Sequence, residues 1–290
     1  MLKQFVNGKW AERSSLLDAL GLIQKGLCAY TDLEKELLRV GASVRENDRT
    51  EIMTVMSKKD NNADADRAVR VVAIVGAGGK TTCLRRLQLE CKKLGIKAAA
   101  GTTTHIQYER NETFLDRPDR NAAREILGKT GTLWMGEPVS DWKCKGLPES
   151  FYRELLADGV RLLLEADGAK GRPVKAPRDG EPVILPETDW VLAVYGLDAV
   201  GQPAKDVCCR VEQVCAILEK RETDALTAAD LAKLACSPRG GRKGVQPGMR
   251  YAVLFNKADT PEREAAAQEA AQAIQNGADA VLMAAHLTGQ

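Results

Sequence analysis

The stretch VVAIVGAGGKTT, residues 71–82, decides the fold of this chain. Residues 71–75 are apolar and mostly β-branched, as in a buried strand, and a glycine-rich turn follows them. The turn ends in Lys-Thr-Thr, and residues 83–94 have the pattern of a helix. Glycines allow successive backbone N–H groups to turn toward an anion, and a helix N-terminus adds oriented donors. The stretch therefore predicts a strand, a phosphate-binding loop and a helix.

The predicted phosphate loop gives its polar side chains separate tasks. Lys80 would contact the β- and γ-phosphates and act in catalysis, and the hydroxyl of Thr81 would bind Mg²⁺. The loop is shorter than the common G-x-x-x-x-G-K-[ST] pattern, and short loops of this kind also occur in Mur-type ligases. The loop residues predicted to bind the nucleotide are Gly76, Ala77, Gly78, Gly79, Lys80, Thr81 and Thr82.

Acidic and hydroxyl side chains follow two further predicted strands. The segment 160–164, apolar apart from Arg161, leads into Glu165 and Asp167, at the place where phosphate-loop proteins keep a carboxylate for Mg²⁺. Both are predicted to act in catalysis and to bind the metal, and the pattern does not distinguish between them. The strand predicted at 96–100 leads into a threonine-rich segment in which Thr103 is a predicted metal ligand. The carboxyl ends of parallel strands form the ligand-binding edge of such sheets, so these side chains are expected near the phosphate loop.

An Asn-Lys-Ala-Asp sequence follows the strand predicted at 251–255. N-K-x-D at a strand end is the guanine-reading element of GTPases, in which the carboxylate accepts hydrogen bonds from the base and the lysine packs over the ring. Asn256, Lys257 and Asp259 are therefore predicted to bind the base of GTP. The alternative is ATP, whose adenine is read by other contacts.

Two other groups of residues have more than one interpretation. The segment 170–178 is basic and contains prolines, and it is expected either to hold an anionic substrate or partner or to be a solvated loop. Its cations are Lys170, Arg172, Lys175 and Arg178. Cys208, Cys209 and Cys215 form the one cluster of thiols in the sequence. They would suit a soft metal, but buried cysteines on a helix, which is predicted at 208–218, are the more frequent arrangement.

Strand and helix patterns alternate along residues 67–290, with a largely irregular region at 106–150 and a long helix at 261–275 that leads to a last strand at 280–284. This alternation predicts a P-loop NTPase-like α/β fold, a three-layer sandwich with a mainly parallel sheet, and assigns 67–290 to one nucleotide-binding domain. Residues 1–66 are expected to lie outside that core, as a small helical appendage and a polar linker. The predicted helices lie between residues 16 and 38, and the linker begins at 43.

Composition narrows the class of partner. The chain has 290 residues and a formal net charge of +2, which predicts no nucleic-acid partner. No apolar run approaches the roughly 18 residues that span a bilayer, so no membrane association is expected. The first residues lack the apolar core of a signal peptide, and the eight cysteines form no spaced framework. Together with a nucleotide site, these features predict a cytoplasmic protein.

Several segments spread over the chain form a combined pattern. They are VGAGGKTT (75–82), TTTHI (102–106), EADGAKGRPVKAP (165–177), EPVILPETD (181–189), GLDAVGQP (196–203), the pair Arg210 and Glu212, RGGRKGVQPGMR (239–250) and LFNKAD (254–259). This pattern resembles the YqeC family, the accessory proteins of selenium-dependent molybdenum hydroxylases. The resemblance implies a cytoplasmic, nucleotide-binding protein that helps to prepare the selenium or molybdenum cofactor of those hydroxylases. The chain departs from the family in the long segment between residues 22 and 70 and in Cys208-Cys209, which replaces an often histidine-containing segment.

These observations define three hypotheses for the function. The leading one is a slow, GTP-preferring NTPase with bound Mg²⁺ that acts in selenium or molybdenum cofactor maturation, with a selenium-dependent molybdenum hydroxylase or its maturation proteins as partner. No arginine finger is identifiable in the sequence, so a partner is expected to supply it. The alternative is an ATP-dependent ligase or kinase acting on a small molecule. The third is a nucleotide-gated binding scaffold without catalysis.

Overall fold

The computed structural model describes residues 1–20, 69–108, 111–274 and 276–285. Its centre is a ten-stranded sheet. The strands of this sheet are β1 (Leu2–Val6), β2 (Lys9–Glu12), β3 (Val71–Gly76), β4 (Ala98–Thr102), β6 (Phe114–Leu115), β7 (Thr132–Met135), β10 (Arg161–Glu165), β12 (Trp190–Gly196), β14 (Arg250–Asn256) and β15 (Ala280–Ala284). A three-stranded sheet contains β5 (His105–Gln107), β8 (Glu137–Ser140) and β9 (Lys143–Lys145), and β11 (Val174–Lys175) pairs with β13 (Cys208–Cys209).

Helices cover both faces of the central sheet. They are α1 (Leu16–Ala19), α2 (Lys80–Lys93), α3 (Arg120–Thr130), α4 (Glu149–Ala157), α5 (Ala204–Val207), α6 (Val211–Leu218), α7 (Ala228–Cys236) and α8 (Pro261–Ile274), with a 3₁₀ turn at Leu197–Ala199. Side chains of β3 alternate between the two faces. Val72 and Ile74 pack with α1 and α2, whereas Ala73 and Val75 pack with α6, α7 and α8. Helices α3 and α4 cover a third apolar cluster around β10 and β7.

Strand order places the phosphate loop at the middle of the sheet. The order is β2-β1-β15-β14-β12-β3-β10-β4-β7-β6, and neighbouring strands are parallel from β15 to β6. All residues of β3, β10, β12 and β15 are buried, including Arg161 and Glu165 at the two ends of β10. The apolar sequences of the other three strands are those of strands covered on both faces. The predicted fold class is confirmed: a mixed α/β protein with a large, mostly parallel sheet between helices, consistent with a P-loop NTPase-like sandwich.

The first twenty residues differ from the expected helical appendage outside the core. Strands β1 and β2 form an antiparallel hairpin, and β1 pairs with β15, so both strands extend the central sheet. The hairpin turn is Asn7-Gly8, with φ of +50° and +79°. Asn-Gly between alternating residues is a strong hairpin signal, and it outweighs the helical pattern that begins further on. The prediction for residues 1–66 was wrong for this part of the chain.

Helix α1 anchors the hairpin to α2. Leu16 and Leu17 are fully buried, and their backbone N–H groups donate to the carboxylate of Glu90 in α2 at 3.1 and 3.0 Å. Of the helix predicted near 16–27, α1 covers the first part. The remainder, the second predicted helix and the polar linker lie outside the described residues, so the domain boundary at 66/67 stays a prediction.

Two further segments depart from the predicted elements. Residues 208–209 were expected to begin a helix but form β13 beside β11. Arg210, whose φ is +60°, separates this strand from α6 because a left-handed residue interrupts helical geometry. The region 106–150 was expected to be largely irregular and instead supplies the small sheet of β5, β8 and β9. That sheet overlies the carboxyl edge next to β4 and becomes one wall of the site described below.

Candidate functional site

The loop between β3 and α2 needs glycine at three positions. Gly76, Gly78 and Gly79 have φ of +88°, +80° and +132°. A Cβ atom on these residues would lie 2.5 Å from the carbonyl oxygen of Val194, 2.4 Å from the backbone nitrogen of Gly196 and 2.3 Å from Nδ2 of Asn256, respectively. Each distance is shorter than a real Cβ contact. The glycines therefore permit both the backbone conformation and the close approach of β12 and β14.

Two of the loop N–H groups that the sequence predicts to face a phosphate are bonded to other parts of the protein. The N–H of Ala77 donates to the carbonyl of Val194 at 2.9 Å, and that of Gly78 donates to the carbonyl of Arg172 at 3.1 Å. These two donors are used within the protein. Helix α2 begins after Gly79 without a side-chain cap, so the N–H groups of its first turn keep their capacity to bind an anion. The predicted anion nest is thus displaced toward residues 79–82.

Lys80 is buried between two carboxylates. Its Nζ donates to the carbonyl of Gly76 at 2.6 Å and lies 3.2 Å from Oδ1 of Asp167 and 3.5 Å from Oε1 of Glu165. Burial alone would lower the pKa of Lys80, but the negative charges of Asp167 and Glu165 outweigh it and the pKa is raised. The ammonium is therefore charged and held at the base of the loop.

The structure distinguishes the two carboxylates that the sequence left equivalent. Oε2 of Glu165 accepts a hydrogen bond from the hydroxyl of Thr81 at 3.1 Å. Oδ2 of Asp167 instead accepts from the backbone N–H of Gly76 at 3.2 Å and lies 2.9 Å from Nζ of Lys175. Burial, with Asp167 adding to it, raises the pKa of Glu165 despite the opposing charge of Lys80. Glu165 is thus the carboxylate that faces Thr81, and Asp167 supports the loop from beneath.

The donor set around Thr81 fits Mg²⁺. A hydroxyl and a carboxylate are hard oxygen ligands of the kind that Mg²⁺ prefers, and one or two protein ligands plus phosphates are its usual complement. Oδ1 of Asp167 is a further buried oxygen near this pair. It lies 3.2 Å from Nζ of Lys80 but accepts no hydrogen bond within the described residues. The described parts of the chain contain no group of three or more His, Cys, Asp or Glu side chains that could hold a metal by themselves.

The side chain of Thr103 forms no described hydrogen bond with Thr81 or with the carboxylate of Glu165, and only its backbone is joined to Glu165. Its hydroxyl donates to the carbonyl of Val183 at 2.6 Å, and its N–H donates to the carbonyl of Glu165 at 3.0 Å. The neighbouring Thr104 lines the open cleft in front of the phosphate loop instead. Thr103 and Thr104 lie in the bend between β4 and β5, where the turning backbone gives consecutive threonines different surroundings.

The Asn-Lys-Ala-Asp segment is divided between three positions. Nδ2 of Asn256 donates to the carbonyl of Gly78 at 2.8 Å, so this buried side chain holds the phosphate loop. Lys257 lines the cleft and pairs with Asp198. The carboxylate of Asp259 pairs with Arg263 one turn along the chain in α8. The structure therefore brings Asn256 and Lys257 to the site, whereas Asp259 has an ion-pair partner of its own.

An open cleft of about 820 Å³ extends from the phosphate loop. Such a volume lies in the upper part of the roughly 300–1,000 Å³ range of small-molecule sites. Its basic side chains outnumber its acidic ones, which in the described residues are Glu165 and Glu181. The cations are Lys80, Lys143, Lys170, Arg172, Arg178, Arg210 and Lys257, and His105 and the exposed Trp142 also line the cleft. The cleft is therefore suited to anionic ligands.

A chain of alternating charges connects the loop to the far wall of the cleft. Lys175, one of the cations of the basic segment 170–178, is buried, with Nζ 2.9 Å from Asp167 and 2.9 Å from Glu181. The solvated-loop interpretation of that segment therefore does not hold for Lys175, which lies in β11 beside β13. Sequence reasoning did not single out Trp142, Glu181 or Arg210 as site residues. Their common location depends on which strand ends meet, and no local pattern indicates it.

Within the described residues, no cysteine belongs to a group of three or more His, Cys, Asp or Glu side chains that could hold a metal. The seven that the structure describes are free thiols, and five of them are buried. Burial raises the pKa of Cys208 to about 12, with Cys215 and Cys209 adding to it, so this thiol holds its proton at neutral pH. Within the described ranges, no helix is long and apolar enough to cross a membrane.

Fold and site together define an α/β protein with a strand–loop–helix unit of the phosphate-loop type at the carboxyl edge of a parallel sheet. Residues 72–212 match the family model described as YqeC protein. The chain is also 28% identical over 217 residues to the uncharacterized protein YqeC of Escherichia coli strain K12, covering 73% of this chain and 85% of that protein. The family model and this relative both identify YqeC proteins as what the chain is similar to.

Proposed function

We propose that this protein binds a purine nucleoside triphosphate with Mg²⁺ at the phosphate loop and hydrolyses it slowly, with GTP as the preferred nucleotide. The observation that carries the proposal is the meeting of Lys80 and Thr81, at the start of α2, with Glu165 at the end of the adjacent strand β10. Cation, hydroxyl and carboxylate are the three groups that a triphosphate–Mg²⁺ complex requires from its protein.

Each of these residues has a task in the proposed reaction. The first turn of α2 donates backbone hydrogen bonds to the phosphates, and Lys80 exchanges its carboxylate partners for phosphate oxygens. Thr81 and Glu165 would hold Mg²⁺, which neutralises phosphate charge when bound. Asp167 stays on Gly76 and Lys175 and keeps the loop in place. Charge stabilisation by Lys80 at the transferred phosphoryl group is the main catalytic contribution.

Guanine is the proposed base because residues 256–259 have the N-K-x-D sequence at the end of β14, beside the phosphate loop. Lys257 lines the cleft, and guanine would take the carboxylate of Asp259 in competition with Arg263. Substituting Asp259→Asn should weaken GTP binding, leave ATP binding unchanged and favour xanthosine triphosphate, because the amide reverses one hydrogen bond to the base. Wild-type protein that prefers ATP would refute the guanine assignment and leave the phosphate site intact.

The direct test is titration calorimetry of the full chain with GTP and with ATP, each with and without Mg²⁺. Lys80→Ala should weaken binding by about 2–3 kcal/mol, roughly 30- to 150-fold, because a charged hydrogen bond to phosphate is lost. Lys129→Ala is the matched control, since Lys129 pairs with Glu125 on an exposed face of α3. Equal nucleotide affinity of Lys80→Ala and wild type would contradict the phosphate-loop assignment.

The size of the cleft favours one alternative, an ATP-dependent ligase or kinase with a small-molecule substrate. Two strands, one on each side of β3, lie two positions from it in the sheet. Strand β14 leads to Lys257, and strand β4 leads to Thr104 and His105. The cleft spans both sides and has room for a second molecule beside the nucleotide. Release of γ-phosphate that depends strictly on a small substrate, with a modified product, would support this alternative over hydrolysis.

We further propose that the nucleotide cycle serves maturation of the selenium or molybdenum cofactor of selenium-dependent hydroxylases. This step rests on the resemblance to the YqeC family and on the absence of an identifiable arginine finger in the sequence, which leaves a task for a partner. The test is GTP turnover by the protein alone and with an immature hydroxylase. A stimulated rate supports the role, and an unchanged rate with tight nucleotide binding favours a non-catalytic scaffold.

A further inference from the structure

Three basic residues of the cleft have a left-handed backbone. The φ angles are +50° at Lys170, +60° at Arg210 and +65° at Lys257. Elsewhere in the described residues, Asn7 and Glu219 are the non-glycine positions with this conformation. A left-handed conformation is costly for a long side chain, and such residues concentrate at functional sites. Glycine would relieve the strain at each position, so the basic side chains have a use that offsets it.

One buried carboxylate holds two guanidinium groups on the same wall. Oε1 of Glu181 accepts from Nε of Arg178 at 3.0 Å and from Nη2 of Arg210 at 2.8 Å. Oε2 of Glu181 accepts from Nζ of Lys175 at 2.9 Å. Burial would raise the pKa of Glu181, but the hydrogen bond and charge of Lys175, with both arginines, lower it. Glu181 is therefore an ionised anchor that orients both arginines.

The charges on this wall do not balance. Lys175 is shared between Glu181 and Asp167, at 2.9 Å from each. Arg178 and Arg210 share a single carboxylate oxygen of Glu181, so their two positive charges exceed the negative charge that faces them. We call Lys170, Arg172, Arg178 and Arg210 the basic wall. Arg172 donates to the backbone carbonyl of Asp206, a neutral group, and so adds another positive charge.

We infer that the basic wall is a subsite for a second anionic ligand, a small molecule with a phosphate or carboxylate group, bound beside the nucleotide. The inference rests on the proposed function because it names the class of molecule that shares the cleft. Lys80 and the first turn of α2 already provide the donors that a triphosphate needs, so four further cations have no task in nucleotide binding alone. Guanidinium groups suit this role because their planar donors match phosphate and carboxylate oxygens in pairs.

The experiment uses the full chain saturated with Mg²⁺ and a non-hydrolysable GTP analogue, or the ATP analogue if ATP is the bound nucleotide. Inorganic phosphate is titrated into this complex by calorimetry at constant ionic strength, and oxalate is titrated in parallel. We expect saturable binding to wild type, weakened at least tenfold by Arg178→Ala and by Arg210→Gly. Arg210→Gly suits the left-handed backbone and the cap position before α6, so it should keep the fold. Tighter oxalate than phosphate binding would identify a carboxylate ligand.

Arg221→Ala is the matched control, because Arg221 is 83% exposed and pairs with Asp224 outside the cleft. It should bind phosphate as wild type does. Phosphate that does not saturate wild type, or that binds both wall variants with wild-type affinity, would overturn the inference. Weaker binding of the nucleotide analogue in the wall variants would assign the wall to the nucleotide itself, and the proposed function would stand without the second ligand. If no nucleotide binds wild type, the proposed function fails, and phosphate titration of Lys80→Ala still tests the wall.

Discussion

Asn256 and Gly78, which are far apart in the sequence, are joined by a hydrogen bond of 2.8 Å from the side-chain amide to the loop carbonyl. The bond links the end of β14 to the phosphate loop after β3, across the intervening strand β12. Both groups are buried, so the bond is protected from water and losing it leaves an unsatisfied carbonyl. The first residue of the Asn-Lys-Ala-Asp segment thereby helps to fix the shape of the glycine-rich loop.

Substituting Asn256→Ala should weaken GTP and ATP binding to a similar degree. The buried carbonyl of Gly78 loses its donor, at a cost of about 1–3 kcal/mol, and the loop loses a fixed conformation. Calorimetry with both nucleotides measures the effect. Asp259→Asn is the comparison, since it should change the preference between the bases. A selective loss of GTP binding in Asn256→Ala would show that this side chain reads the base instead of supporting the loop.

Gly78→Ala should impair both nucleotide binding and stability. Its Cβ would lie 2.4 Å from the backbone nitrogen of Gly196 and 2.8 Å from the carbonyl oxygen of Pro173, and backbone atoms cannot move aside as a side chain can. Gly159→Ala is a matched control. Gly159 has a similar φ of +75°, but an added Cβ meets no atom within 4 Å.

The left-handed backbone alone should lower the free energy of unfolding of Gly159→Ala by about 1 kcal/mol. Gly78→Ala should lose more unfolding free energy, because the clash of its Cβ atom adds to this strain. Urea unfolding measures the two costs, and calorimetry measures nucleotide affinity. Gly159→Ala should bind nucleotide normally. Equal costs in the two variants would mean that the loop shifts freely and that its close packing against β12 is unimportant.

The raised pKa of Glu165 predicts opposite pH dependences for stability and for Mg²⁺ binding. Burial raises this pKa in the folded protein, so the folded state binds the proton of Glu165 more tightly than the unfolded chain does. The stability that Glu165 contributes is therefore present below its unfolded pKa of about 4.3 and is lost as pH rises through the raised value. Mg²⁺ needs the ionised carboxylate, so its affinity should increase over the same interval.

Glu165→Gln isolates this group from the other carboxylates. Without nucleotide, the unfolding free energy of wild type minus that of the variant should decrease as pH increases. Mg²⁺ affinity of the nucleotide complex should be low and nearly independent of pH in the variant. A pH-independent difference in stability, together with unchanged Mg²⁺ affinity, would remove Glu165 from the proposed metal site.

Leu17→Ala should destabilise the whole protein, although residue 17 lies far along the chain from the phosphate loop. Leu17 is fully buried against α2, and the loss of a buried leucine side chain costs about 2–5 kcal/mol. Val6→Ala on the same N-terminal unit is the control. Val6 is 40% exposed, so its loss should cost about 0.5 kcal/mol or less. Urea unfolding followed by circular dichroism compares them, and equal stabilities would show that residues 1–20 are dispensable for the core.

Local sequence was sufficient for the elements around the phosphate loop. The strand of five apolar residues, the glycine turn and the helix at 83–94 were predicted and are observed as β3, the loop and α2, which begins three residues earlier, at Lys80. The strand at 280–284 and the long helix from Pro261 were also predicted close to their observed bounds. These predictions succeeded because periodicity, β-branching and turn chemistry act between near neighbours in the chain.

The sequence by itself determined a parallel α/β protein with a phosphate-loop motif and polar groups at its strand ends. Only the tertiary structure decided that Glu165, not Asp167, faces Thr81, that Asn256 holds the loop, and that Lys175 is buried. Each of these outcomes depends on atoms from strands that are distant in sequence and meet within about 3 Å, the range of a hydrogen bond. Side-chain direction at a strand end reverses with every residue, so small differences in where strands end determine which groups meet.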